Sequence, residues 1–277
     1  MSIRLLATFG LICGSFTKGV YGQNGTYSSY FRPNSSGVLM QHGFESVLVQ
    51  PYGYDGFRVR AWPFRAPRGD ETSFLYDPSL EGFEGGVAHG LDYGMKSDGN
   101  HSSTIRNGNT MVKSYGPDGA ANRLAFYRIE TNGSESLLTG DAPPDEQIYG
   151  TGTQQDHAIN KKGSSSTYPS TMQGHVIDLL NWNTHISAPL FMSNRGYGFI
   201  WNSAAEGRIE FGRGRTRITS MSTTVVDYVI VSAPLGDYDT LRQRISAATG
   251  RAPTPPEFSL GFMLRQPDRN IAGCTRF

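Results

Sequence analysis

Cysteine is nearly absent: the 277 residues hold two, Cys13 in an apolar N-terminal stretch and Cys274 close to the other end. If the first leaves with a cleaved leader, one thiol remains and no internal disulfide can form, so stability must come from burial. Long apolar runs are missing as well. The stretch over residues 5–14 is about ten residues, well short of the roughly 20 that span a bilayer. Nor is charge of one sign in excess: 25 Lys and Arg stand against 24 Asp and Glu, for a net charge of +1, with no run of either sign. That pattern excludes the electrostatic footprint of a nucleic-acid or anionic-membrane binder.

Catalytic and metal motifs are scarce too. The six histidines, His42, His89, His101, His157, His175 and His185, show neither H-x-H nor HExxH spacing, and no cysteine pair could complete a zinc site, so no metal is expected. Gly150 and Gly152 lack the third glycine and the following helix of a nucleotide loop, which reads as a glycine-turned strand and implies no cofactor. A Gly-x-Ser-x-Gly elbow is not found, which sets hydrolase triads aside. The carboxylate pairs Glu81 with Glu84 and Asp145 with Glu146 could do glycosidase work in principle, but solvated loop charges are the simpler reading. No catalytic residue is therefore assigned.

What the chain does have begins with Arg4, the apolar run behind it, and Val20 and Gly22 at the −3 and −1 positions of a cleavage site. Residues 1–22 read as a signal peptide, and the mature product as secreted, with no membrane contact after cleavage. Four Asn-x-Ser/Thr sequons, at Asn24, Asn34, Asn100 and Asn132, fit passage through a glycosylating lumen. The 34 Gly, 14 Tyr and 15 Phe describe short strands joined by tight turns.

The period of two is clear from Glu45 onward. Val47 and Val49 alternate with polar neighbours, Asp55-Gly56 marks a turn, and Phe57, Val59 and Ala61 alternate with Arg58 and Arg60. A second hairpin turns at Asn132-Gly133 between residues 124–129 and Leu137-Leu138. Residues 189–231 read as at least five strands, over 190–192, 197–201, 208–211, 216–219 and 223–231. Many strands and little helical periodicity predict a mainly β sandwich. One helix is expected at 237–249, capped by Asp237, with Tyr238, Leu241, Ile245 and Ala248 on one face and Gly250 as its left-handed end. Pro253, Pro255 and Pro256 form a stiff linker, and residues 258–264 look like the first strand of a new unit.

The division is thus 1–22 leader, 23–44 N-terminal extension, 45–236 sandwich with a flexible loop at 164–173, 237–256 helix and linker, and 257–277 the start of a further domain. Apolar strand 258–264, without partners, would present a free edge and favour self-association. Trp182, Asn183, Thr184 and His185, following Asn181, combine a flat apolar face with polar groups, as weak carbohydrate binding needs. Core packing of Trp182 beside Leu179 and Leu180 is the competing reading.

Several strings carry a resemblance: VLVQPYGYDGFRVRAWPFR (47–65), IYGTGTQQDHAINKKG (148–163), VIDLLNWNTHISAPLFMSNRGYGFIWNS (176–203) and STTVVDYVIVSAPLGDYDTLRQRISAATGRAPTPPEFSLGF (222–262). Together they resemble the N-terminal region of glycoside hydrolase family 31, of the fungal secreted α-xylosidase and α-glucosidase type. The resemblance implies a galactose-mutarotase-like β-sandwich followed by a (β/α)8 barrel whose two aspartates perform a retaining hydrolysis of α-glucosides or α-xylosides. Neither aspartate can be carried over onto this chain. It is expected to be a portion ending in the first barrel strand and inactive alone, with residues 263–277 departing from the family pattern. The Asn183-Thr184-His185 string resembles the sandwich loop that lies over the barrel mouth, although relatives commonly carry an acid where His185 stands. A stand-alone lectin-like module and an aldose-epimerase-like enzyme are the alternative functions.

Overall fold

The structure is a computed structural model. It describes residues 5–9, 30–34, 37–42, 45–63, 73–75, 89–95, 101–116, 123–139, 145–153, 159–161, 176–181, 186–212, 216–221, 223–251 and 253–260. Seventeen strands are found among them: β1 (Leu5–Phe9), β2 (Tyr30–Asn34), β3 (Gly37–His42), β4 (Glu45–Pro51), β5 (Gly56–Pro63), β6 (His89–Met95), β7 (His101–Asn107), β8 (Thr110–Gly116), β9 (Arg123–Ile129), β10 (Glu135–Leu137), β11 (Ile148–Thr153), β12 (Val176–Leu179), β13 (Ile186–Ser193), β14 (Tyr197–Trp201), β15 (Gly207–Phe211), β16 (Thr216–Ser220) and β17 (Val226–Ser232). One α-helix, α1 (Tyr238–Thr249), and one 3-10 turn over Glu257–Leu260 follow.

The strands form three antiparallel sheets. The largest has the order β11-β13-β14-β17-β5-β4-β3-β2, the second β10-β9-β8-β7-β6, and the third β1-β16-β15-β12. A single apolar cluster joins all three. Phe57, Val59, Phe191, Phe199 and Tyr228 of the large sheet meet Ile105, Val112 and Phe126 of the second and Ile177, Ile209, Phe211 and Ile218 of the third. The large sheet is therefore one layer of a sandwich and the two smaller sheets face it, as the sequence pattern predicts.

Phe191 sits at the centre of the cluster, stacked on Phe199 at 5.0 Å between centroids and meeting Phe211 edge-on at 5.2 Å. Strand β17 lies between β14 and β5, and every one of its residues is buried. Val226, Tyr228 and Ile230 enter the sandwich core, while Val229 and Val231 pack on the other face with Leu241, Ile245 and Ala248 of α1. Burial on both faces is why this strand reads as a nearly continuous apolar run. Its one charge, Asp227, is answered by a two-point ion pair with Arg58, 2.9 and 2.5 Å, and by the Asn202 amide at 2.6 Å.

Helix α1 starts where Asp237 accepts the Thr240 N–H at 3.0 Å. Leu241, Ile245 and Ala248 are buried as expected, but Tyr238 is exposed. Gly250 has φ 84° with ψ 161°, so it leaves the helix through the extended glycine-only region rather than a left-handed turn.

Three segments near the expected boundaries have structure of their own. The segment 23–44 is not merely an extension, because it supplies β2 and β3, and Val38 and Met40 join the core beside Val49. Within the segment read as a leader, β1 pairs residue for residue with β16, from Leu5 opposite Ser220 to Phe9 opposite Thr216. An edge strand offers free N–H and C=O groups, and an extended apolar segment satisfies them. Finally, residues 257–260 form a 3-10 turn where a strand was expected. The Ser259 N–H and hydroxyl both donate to the Pro256 carbonyl, at 2.9 and 2.7 Å, closing the chain on itself directly after the prolines. The rest of the expected strand, 261–264, and the loop 164–173 lie outside the described residues.

Candidate functional site

The candidate sugar-binding residues Trp182, Asn183, Thr184 and His185 lie outside the described residues, but both ends of the segment that carries them are well defined. Strand β12 belongs to the small sheet and β13 to the large one, so the segment crosses from one layer of the sandwich to the other. Its two ends are tied together. The Ser187 N–H donates to Asn181 Oδ1 at 2.6 Å, and the Ser187 hydroxyl donates to the Asp178 carbonyl at 2.9 Å. Asn181 thus closes the loop and spends its carbonyl oxygen on the chain.

A second device sits against this loop. Opposite β13, strand β11 pairs Gly150 with Phe191 and then Gly152 with Ser187, so one residue of β11, Thr151, faces three of β13. Pro189 lies in the excess segment and has no N–H for the ladder. Three successive residues of β11 take positive φ: Gly150 at 118°, Thr151 at 69° and Gly152 at 90°. Glycine is required at the third, because an added Cβ would lie 2.0 Å from the Ile186 carbonyl oxygen. Thr151 is the exception, a β-branched residue in the left-handed region and fully buried. Its hydroxyl donates to the Gly150 carbonyl at 2.5 Å. Left-handed geometry costs a non-glycine residue about 1–2 kcal/mol, and such residues cluster at ligand sites.

Flanking the loop, Ile186 is 63% exposed and Leu180 43%. On the neighbouring sheet Asp178 and Arg208 form an exposed cross-strand ion pair at 2.6 Å, and the Asp178 hydrogen bond is the main reason that the Arg208 guanidinium is held above its usual value.

The carboxylate pair Asp145 and Glu146 divides. Asp145 is exposed and pairs with Arg195 at 2.7 Å, as a solvated loop charge would. Glu146 corrects the expectation, since it is only 5% exposed and accepts from the Ser193 hydroxyl at 2.7 Å and the Tyr197 hydroxyl at 2.8 Å. Burial, with Glu146's charge beside it, pushes the Tyr197 hydroxyl well above the usual tyrosine range. This cluster lies at the Ile148–Ser193 end of the β11–β13 pair, opposite the end where Thr153 meets Ile186 beside the loop. It secures the β13–β14 turn and is remote from the candidate site. Glu81 and Glu84 lie outside the described residues. Among the described residues no group of three or more His, Cys, Asp or Glu gathers in a way that could hold a metal ion.

Of the sequons, Asn132 occupies the tip between β9 and β10, and Asn34 is the last residue of β2, its backbone opposite Gly37. Asn24 and Asn100 lie outside the described residues.

The geometry defines the class as an antiparallel β-sandwich with a bulged edge and a tied loop, and comparison with known proteins carries the reading further. The chain is 54% identical over 266 residues to α-xylosidase A of Aspergillus niger, an alignment covering 85% of this chain and 34% of that protein. It is 30% identical over 118 residues to an α-xylosidase of Saccharolobus solfataricus, covering 42% of this chain and 16% of that one. Among solved structures, a xylosidase from Aspergillus niger superposes with a TM-score of 0.68 at 54% identity, covering 84% of this chain and 35% of its own. A family-31 α-xylosidase from a soil metagenome, complexed with xylose, superposes at 0.65 with 24% identity, over 84% of this chain and 36% of that one, which shows the fold. No protein-family model matches.

The chain is homologous to the glycoside hydrolases of family 31 and corresponds to their β-sandwich portion. It spans about a third of the length of the Aspergillus niger α-xylosidase.

Proposed function

We propose that this chain is the sandwich portion of a secreted, exo-acting family-31 α-glycosidase, and that it supplies the wall of the sugar site carried on residues 182–185. The observation that carries this reading is the loop closed by Asn181 and Ser187 against the strained β11 bulge, in a chain 54% identical to an α-xylosidase. A site on a rigid edge meets ligand without first paying for its own ordering. The reaction of the whole enzyme is hydrolysis of α-xylosidic or α-glucosidic bonds, and the α-xyloside is favoured by the relatives' names. The catalytic aspartates that the family resemblance implies belong to the barrel, so residues 1–277 taken by themselves are expected to bind sugar weakly without hydrolysing it.

The test is incubation of the purified chain with p-nitrophenyl α-xyloside and α-glucoside, beside an intact family-31 α-xylosidase. The expected outcome is p-nitrophenol from the intact enzyme alone, with xylose perturbing the Trp182 indole signal of the chain in NMR. Turnover by the chain overturns the reading of inactivity, and an unperturbed Trp182 overturns the assignment of the wall. Secretion rests on the leader reading of residues 1–22, and N-terminal sequencing of the protein from medium should begin at Gln23. A sequence starting at Met1 would mean that β1 stays on the edge of β16 instead of leaving with the leader.

A further inference from the structure

Asn132 stands at the tip of the β9–β10 hairpin, within Asn132-Gly133-Ser134. The turn is closed by two backbone bonds, Gly133 N–H to the Glu130 carbonyl at 2.9 Å and Glu130 N–H to the Ser134 carbonyl at 2.8 Å. Gly133 takes φ 81°, and a Cβ built there would meet nothing within 4 Å. Residues 131–135 are all exposed. Asn132 Oδ1 accepts both the Ser134 N–H, at 2.9 Å, and the Ser134 hydroxyl, at 2.7 Å. The amide oxygen is therefore turned into the turn, and among the described residues nothing takes Nδ2.

From this geometry we infer that Asn132 is an N-glycosylation site that the folded hairpin is built to carry, an inference resting on passage through the secretory pathway. In the modification Nδ2 attacks the anomeric carbon of a polyprenyl-diphosphate-linked oligosaccharide. The C–N bond forms as the C–O bond to the diphosphate breaks, the diphosphate leaves with the bonding pair, and a transferase base takes the Nδ2 proton. Product geometry matches the fold: Oδ1 remains an acceptor for Ser134 after Nδ2 is substituted, so no internal hydrogen bond is lost, and the space around the tip admits the sugar. Position adds a reason. β10 is the edge of its sheet and leaves Leu137 exposed, and a glycan at the adjoining tip hinders edge-to-edge pairing with another chain. Asn34 differs in setting, because it is the last paired residue of a strand and not the tip of a turn.

The experiment is site-resolved glycopeptide mass spectrometry of the full chain from a eukaryotic secretory host, produced once with its own N-terminus and once behind a leader of proven activity. Asn132 is expected to carry glycan in both. Asn132→Gln and Ser134→Ala should each abolish it, while Ser134→Thr, which keeps the hydroxyl, should retain it. Occupancy only behind the added leader would uphold the site and refute the native leader. An unmodified Asn132 in protein recovered from the medium with the proven leader would overturn the inference. Thermal unfolding of Asn132→Gln gives the second readout: the variant should remain folded, and loss of folding would mean that the side chain is structural.

Discussion

Arg244 is the contact through which helix α1 grips the turn of the β4–β5 hairpin. Its guanidinium pairs with the Asp55 carboxylate and donates to the Ser232 carbonyl, and the two side chains are only 18% and 7% exposed. Asp55 Oδ1 also accepts the Asn109 N–H at 2.5 Å, which ties the β7–β8 turn into the same knot. Arg244→Met keeps most of the buried stem but leaves the carboxylate buried with its charge uncompensated. Breaking a buried pair on one side costs about 3–5 kcal/mol, a large part of the roughly 5–15 kcal/mol that holds a typical domain together. Adding Asp55→Asn removes the charge while keeping an acceptor for Asn109, so the double variant should recover about 1–3 kcal/mol of that loss. Urea unfolding followed by tryptophan fluorescence measures both. A loss below about 1 kcal/mol in Arg244→Met, or a double variant no more stable than the single, would refute the claim that this pair is buried and coupled.

Three further outcomes follow from the same structure. Because burial and Glu146 raise the folded-state value of the Tyr197 hydroxyl, its contribution to stability is fully present below the unfolded value of about 10 and falls as pH rises beyond it. Melting temperatures from pH 7 to 11 should decline above that point, and less steeply in Tyr197→Phe, which should also lose about 1 kcal/mol at neutral pH. Gly152→Ala forces a Cβ to within 2.0 Å of the Ile186 carbonyl oxygen and should cost more than about 2 kcal/mol, whereas Gly236→Ala, at a similar φ of 82° in open space, should cost about 1 kcal/mol in denaturant titrations. Asn181→Ala opens the loop closure, and hydrogen exchange at the Ser187 N–H should quicken roughly 3–10-fold, with Asn181→Asp close to the parent because it keeps the acceptor.

The elements legible in the sequence are those with many apolar residues in the core, on one face or on both. β4, β5 and β14–β17 have dense apolar patterns bounded by turn residues, and α1 carries its cap and its apolar stripe in plain view. β6–β8 were not anticipated, because they are sparse in apolar residues: of their described side chains, Ile105, Met111 and Val112 are the apolar ones buried. The Asn107-Gly108 turn, with Gly108 at φ 58°, was the available hairpin signal. Residues 257–260 show the opposite error: Phe258 and Leu260 read as the start of a strand but lie in a 3-10 turn that closes on Pro256. For the site, the sequence singled out the Trp182–His185 segment but missed what holds it. Asn181 stands in the same cluster and serves the backbone instead of a ligand, and nothing in a one-letter string distinguishes those uses. Thr151 between two glycines was the stronger clue, since Gly-x-Gly with a β-branched middle residue is a costly place to put positive φ.

That cost explains the arrangement around the loop. A free β11 would relax the Thr151 backbone by about 1–2 kcal/mol, so the bulge persists only where neighbouring contacts outweigh it. Ile148 and Phe191 supply them: both are fully buried, one opening β11 and the other opposite Gly150, and each such side chain contributes about 1.5–3 kcal/mol. The core thus holds the strand on one side of the bulge, the Gly152–Ser187 pairing holds it on the other, and Asn181 closes the loop beyond. Strain next to a tied loop has a definite consequence for ligand binding. Thr151→Gly would remove both the strain and a buried side chain, leaving stability within about 1 kcal/mol of the parent. Its added backbone freedom would nevertheless loosen the segment opposite Ser187, so sugar binding should weaken while the melting temperature barely moves. A large loss of stability with unchanged binding would show that Thr151 serves the core and not the loop.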